Sequence, residues 1–136
     1  DEHLLGHLLI GLQLHFVARR GQLPEVLALC RFALAAALDQ HYFVGTSHLF
    51  GVAAIGLARS GDARTAGRLL GAMTAHDHIP RRNAVSTVQE ALGDEFEVVA
   101  ESGAGLSVAD AARIAIDALD RALAETRAAT PSESNS

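Results

Sequence analysis

Apolar residues recur along most of this chain at intervals of three and four, the spacing of helices that bury one face. Between residues 24 and 38 this spacing places Val26, Leu27, Cys30, Ala33, Leu34 and Leu38 together. The pattern predicts helices over residues 4–17, 24–38, 42–57 and 63–73. The helix at 42–57 is apolar almost all round, through Leu49, Phe50, Ala53, Ile55 and Leu57, so we expect it to be sandwiched between other helices.

A helix–turn–helix unit is repeated at an interval of about 40 residues. The tetrapeptide that ends at Gly21 ("ARRG") matches the one that ends at Gly61 ("ARSG"), and each lies between two apolar segments. Glycine adopts the left-handed conformation that often ends a helix. Asp62 is suited to cap the next helix, and Pro24 to its first turn.

After His78 the repeat is lost. Helices are predicted from Asn83 to Leu92 and from Asp94 to Ser102, each followed by a glycine. The stretch "LSVADAARIAIDALDRAL" then predicts an amphipathic helix that Ser107 caps. Its apolar stripe consists of Val108, Ala112, Ala115, Ile116, Leu119, Ala122 and Leu123.

These elements predict an all-α protein: a tetratricopeptide-like helical repeat, or α-solenoid, of about seven helices. Residues 1–78 would form two helix-turn-helix repeats of about 40 residues, and residues 79–129 a C-terminal helical cap. The amphipathic last helix would pack over the last repeat. The polar residues 130–136 would be a disordered tail.

The composition fits a protein of one domain, with 136 residues of which 49% are apolar and 4% aromatic. A single cysteine excludes an internal disulfide and suits a cytoplasmic protein. The net charge is −5, which argues against direct nucleic-acid binding. No uncharged apolar run has the length of a membrane span, so no membrane partner is expected.

The segments "GLARSGDARTAGRLLGA" and "ALGDEFEVVAESGAGLSVADAARIAIDAL" resemble the C-terminal tetratricopeptide-like region of large actinobacterial ATPase-type transcriptional regulators. Some of these regulators carry a LuxR-type helix-turn-helix, and others an adenylate-cyclase-like domain. The family commonly has a tryptophan where this chain has Ala100, which predicts looser packing there. The matching residues are Gly61-Asp62, Ala66, Arg68-Leu69-Leu70-Gly71-Ala72, Leu92-Gly93, Glu95-Phe96, Gly103, Leu106-Ser107 and Asp110-Ala111.

The resemblance implies a helical scaffold within a signalling or transcriptional protein, with its partners being proteins or other domains of the parent chain. The chain is then expected to be a piece of a larger protein. An alternative is a small-molecule effector sensor with an apolar pocket around Phe43, Phe50 and Ile55.

The sequence offers little catalytic chemistry, and no enzyme activity or cofactor is predicted. A phosphate-binding P-loop needs a lysine, and the chain has none. His3 and His7 share a helix face, but without a third ligand no metal site is predicted. Cys30 lies on an apolar face and is expected to be a buried thiol. Ser47 and His48 lack the surroundings of a hydrolase nucleophile.

The remaining charged residues are read as surface groups. Glu95, Glu97 and Glu101 fit a solvated helix face, and Arg81-Arg82 a charged turn. By analogy with tetratricopeptide pairs, His15, Arg19, His48 and Arg59 would face a shallow, partly basic groove that could bind an acidic peptide. Ordinary surface positions are the alternative reading of these four residues.

The first predicted helix carries a leucine-rich face that includes Leu5, Leu8 and Leu12. Exposed apolar faces of this kind tend to be covered by self-association. We therefore expect the isolated chain to form a homodimer through this helix. Light scattering at tens of micromolar tests this, and a monomer there would contradict it.

Overall fold

The structure, a computed structural model, describes residues 23–41, 46–76, 80 and 82–129, and every element in these ranges is helical. The all-α prediction is therefore confirmed, whereas the tetratricopeptide-like solenoid and the count of about seven helices are not. The helices are α1 (Leu23–Gln40), α2 (Thr46–Ser60), α3 (Ala63–Ala75), α4 (Arg82–Leu92), a 3₁₀ turn (Gly93–Glu95), α5 (Phe96–Gly103) and α6 (Val108–Ala129).

Helix α2 lies at the centre of the fold. Every residue from 49 to 57 is buried, and the helix contacts α1, α3, α4 and α6. A helix that is apolar all round is stable only when other elements cover it on all sides. The predicted sandwiching of this helix is thus confirmed.

Helix α6 packs most extensively against α1, and also contacts α2 and α3. Its apolar stripe enters the core through fully buried residues such as Ala115 and Leu119. At the surface, Arg31 of α1 donates to Asp120 of α6, with 2.9 Å between Nε and Oδ1. In a strict solenoid each repeat contacts only its neighbours. Here the last helix lies mainly on the first described helix, rather than mainly over the last predicted repeat.

Helix ends follow the local signals in the sequence. Gly61 has a φ of +105°, and the Asp62 carboxylate accepts a hydrogen bond of 3.2 Å from the Thr65 backbone N–H. At α6, the Ser107 hydroxyl oxygen accepts from the Asp110 N–H at 3.0 Å. The Asp110 carboxylate pairs with Arg113 in the next turn at 3.0 Å. The predicted caps of α3 and α6 are therefore confirmed.

Helices α3 and α5 cross with their backbones in close contact. A Cβ atom added at Gly71 would overlap the carbonyl oxygen of Ala100, and one added at Gly103 would overlap that of Arg68. A Cβ at Gly67 would lie 2.8 Å from Val99. Glycine is required by space at Gly71 and Gly103, because an added Cβ there would overlap the backbone of the other helix. The small residues thus fix where α5 lies on α3.

None of the described helices is long and apolar enough to cross a membrane.

Replacement of Gly71 by alanine should destabilise the fold, with an overlap cost of ~1–3 kcal/mol or more. Alanine in a helix is itself favoured over glycine by about 1 kcal/mol, so the overlap must exceed that gain. Gly51, in α2, is the matched control, because an added Cβ would meet Ala84 at an ordinary 4.0 Å. Gly51→Ala should leave the free energy of unfolding unchanged or raise it. Urea denaturation measures the free energy of unfolding of both variants. Equal free energies for Gly71→Ala and Gly51→Ala would contradict the close crossing of α3 and α5.

Candidate functional site

An apolar cleft of about 380 Å³ opens where the C-terminal half of α3 meets α4 and α5. Its walls come from three helices and from Pro80, which precedes α4. The lining residues are Leu70, Gly71, Thr74, Ala75, Pro80, Val85, Phe96, Ala100, Glu101 and Ala104. Ala100 of α5 is therefore part of the wall.

The wall is built from residues one helical turn apart. Phe96, Ala100 and Ala104 follow each other at intervals of four along one side of α5, and Leu70 and Thr74 do the same on α3. Alanine side chains fill little space, and this leaves the volume open. The Thr74 hydroxyl donates to the Leu70 carbonyl at 3.0 Å. The hydroxyl hydrogen is thus engaged within α3, and the wall offers mainly apolar surface.

The charge of the described lining residues comes from Glu101 alone. Glu97 lies one turn earlier on α5, and both side chains are exposed. Glu95, in the preceding 3₁₀ turn, is paired with Arg64 at 3.1 Å. The predicted solvated acidic face is present, and its Glu101 end forms part of the cleft.

His76 links the end of α3 to the turn that follows α5. Its Nε2 atom lies 2.8 Å from the Leu106 carbonyl oxygen, within hydrogen-bond distance. Its backbone N–H donates to the Ala72 and Met73 carbonyls at the end of α3. The turn that follows α5 is therefore tied to the end of α3 by this contact.

A second, smaller cavity of about 90 Å³ lies between the start of α3 and α6. Its walls include Asp62, which caps α3 and lies 4.0 Å from Arg121. The Ser60 hydroxyl donates to the Leu57 carbonyl at 2.8 Å. The polar groups of Ser60 and Asp62 thus stabilise the end of α2 and the start of α3, and we assign this cavity no binding role.

Of the four residues of the predicted basic groove, the structure describes the side chain of Arg59 alone. His15 and Arg19 lie outside the described residues, as does the side chain of His48. Arg59 is described and is exposed near the end of α2. The groove of His15, Arg19, His48 and Arg59 remains a prediction.

The effector pocket predicted around Phe43, Phe50 and Ile55 stays a prediction, and the cleft between α3, α4 and α5 is lined by other residues. Phe50 and Ile55 are buried in the core, and Phe43 lies outside the described residues. Sequence analysis missed the observed cleft, because its walls come from segments far apart in sequence. The available signal was the pair of alanines four residues apart, Ala100 in α5 and Ala104 directly after it.

The other candidate residues do not form a centre in the described part of the chain. Across these ranges no three histidine, cysteine, aspartate or glutamate side chains are grouped as metal ligands. His3, His7 and His78 lie outside it, together with Arg81 and the side chain of Ser47, and Arg82 is exposed.

Cys30 is 1% exposed in the core, and this burial raises the pKa of its thiol to about 12. Desolvation disfavours the thiolate, which is the reactive form. The expected buried, unreactive thiol therefore agrees with the structure.

Comparison of the chain with protein-family models, curated proteins and solved structures yields no match. The resemblance to actinobacterial regulators thus stays a prediction.

Burial predicts how Cys30 reacts with thiol reagents. In the folded protein at pH 8 we expect modification at least ~100-fold slower than in urea-unfolded protein, because the buried thiol is neutral. Absorbance of the chromophore that an aromatic disulfide reagent releases measures both rates. Equal rates under the two conditions would show that Cys30 is accessible in the native state.

Proposed function

We propose that this chain is a non-catalytic helical scaffold that mediates protein–protein or interdomain contacts. The observation that carries the proposal is the apolar cleft between α3, α4 and α5, which lies beside the hydrophobic core. The resemblance supports a place at the C-terminus of a multidomain bacterial transcriptional or signalling regulator, in the cytoplasm.

The contiguous core supports a structural role for the helices that form it. Buried residues of α1, α2, α3, α4 and α6 form one cluster. In the described part, every buried side-chain nitrogen or oxygen has a hydrogen-bond partner.

The cleft is apolar and open, and Ala75 and Ala104 on its walls are exposed. Apolar surface that remains exposed in a folded domain commonly marks a site of association. A partner segment that covers this surface would remove it from water and gain the corresponding free energy.

A second candidate is an effector sensor, and the cleft volume of about 380 Å³ favours it, since small-molecule sites span ~300–1,000 Å³. Such sites usually combine apolar walls with several converging polar groups. Here the Thr74 hydroxyl donates within α3, so Thr74 and the Glu101 carboxylate can only accept hydrogen bonds from a ligand, and the described lining side chains offer it no free donor. This lining favours the scaffold.

Photocrosslinking in the full parent protein, in its native host, tests the scaffold. A photoreactive phenylalanine analogue at Ala75 in the cleft, or at Phe32, a 61% exposed apolar residue of α1, should give crosslinks to a protein or to another domain. Ala124, an exposed residue of α6, is the control. Mass spectrometry identifies the crosslinked peptides, and calorimetry with the purified partner or domain measures the affinity. No crosslink at Ala75 or Phe32 above the Ala124 control would contradict the scaffold.

A further inference from the structure

We propose that the cleft between α3, α4 and α5 binds a peptide segment that combines one bulky apolar side chain with a nearby lysine or arginine. The apolar side chain would fill the cleft, and the basic group would face Glu101. This inference rests on the proposed function, and names the chemistry of the partner.

Shape and polarity select the apolar side chain. The volume of about 380 Å³ is bounded by Leu70, Val85 and Phe96 and is kept open by alanines. Pockets of this kind receive the few aromatic or aliphatic anchors that carry most of the free energy of a protein interface. An anchor from leucine, phenylalanine or tryptophan would replace water against these walls.

Charge selects the basic neighbour. Glu101 lies on the wall, and Glu97 lies one turn away on the same face of α5. The cleft also lies beside the last turn of α3, through Thr74 and Ala75, where a helix carries partial negative charge. The net charge of the chain is −5, which favours approach of a cationic partner. A lysine or arginine beside the anchor would be attracted by the two carboxylates, by the C-terminal end of α3 and by the net negative charge of the chain.

The openness of the site favours a peptide over a metabolite. Ala75 and Ala104 on the walls are exposed, so a ligand can enter with one side chain while the rest of it continues outside. Specific recognition of a small molecule needs polar groups around it, and these walls present few. A peptide obtains specificity from an anchor and a neighbouring charge.

Selection from a random 12-residue peptide library displayed on phage tests this, using wild type as bait and Ala100→Trp for counter-selection. We expect enriched peptides that carry an aromatic residue or leucine with lysine or arginine within four positions. Fluorescence anisotropy of a labelled enriched peptide should show that Ala100→Trp weakens binding by ~10-fold or more, because the indole fills the anchor site.

Val98→Trp is the matched control, because Val98 is 71% exposed on the same helix and is not a lining residue. It should bind the peptide as wild type does. Glu101→Gln should weaken binding roughly 2- to 5-fold, as expected for an exposed ion pair. That loss should vanish for a peptide whose basic residue is replaced by norleucine. If Ala100→Trp fails to fold by circular dichroism, Ala75→Leu is the second cleft-filling variant.

Three results would overturn the inference: no enrichment over counter-selection, enrichment of acidic or purely apolar peptides, or equal binding by the cleft-filling variants. Binding of phenethylamine alone as tightly as the peptide would make the cleft a small-molecule site, and would also overturn it. Crosslinks from Phe32 but not from Ala75 would keep the proposed function and reject this inference, so the two failures are distinguishable.

Discussion

The close backbone contact between α3 and α5 is the constraint on which the rest of this structure depends. Gly71 lies against the Ala100 carbonyl and Gly103 against that of Arg68, so the two helices approach as far as their backbones allow. Dense packing of this kind gains many van der Waals contacts from small residues, where larger side chains would hold the helices apart. Gly71 and Ala100 also line the cleft. The crossing and the cleft therefore share residues, and the position of one sets the position of the other.

On the other side of α3, the fold is held by the continuous burial of α2. Residues 49–57 are buried around the whole helix, so α1, α3, α4 and α6 must each supply a face to it. Helix α6 completes this arrangement, because its stripe covers α1 and reaches both α2 and α3. One contiguous core thus leaves α5 as the element held mainly by its crossing with α3.

Local signals in the sequence predicted most of the helices, because a cap or a left-handed glycine acts within a few residues. Asp62, Gly61 and Ser107 mark their helix ends as predicted. The return of α6 to α1 was not predictable in this way, since it depends on which apolar faces meet across 89 residues, as in the Arg31–Asp120 pair. The cleft was missed for the same reason. The small residues Gly71 and Ala100 are visible in the sequence, but the sequence does not show that they lie in contact in the fold.

The alanines of the cleft support the proposal that its open volume serves binding. Gly71 cannot carry a larger side chain because of the Ala100 carbonyl, and Leu70 is already packed in the core at 2% exposure. Ala75, Ala100 and Ala104 are different, because their side chains border open space. Larger apolar residues at such positions fill a cavity and commonly stabilise a protein. Stability alone would therefore favour bulk at these three positions, whereas a site that receives a partner's side chain requires them to stay small.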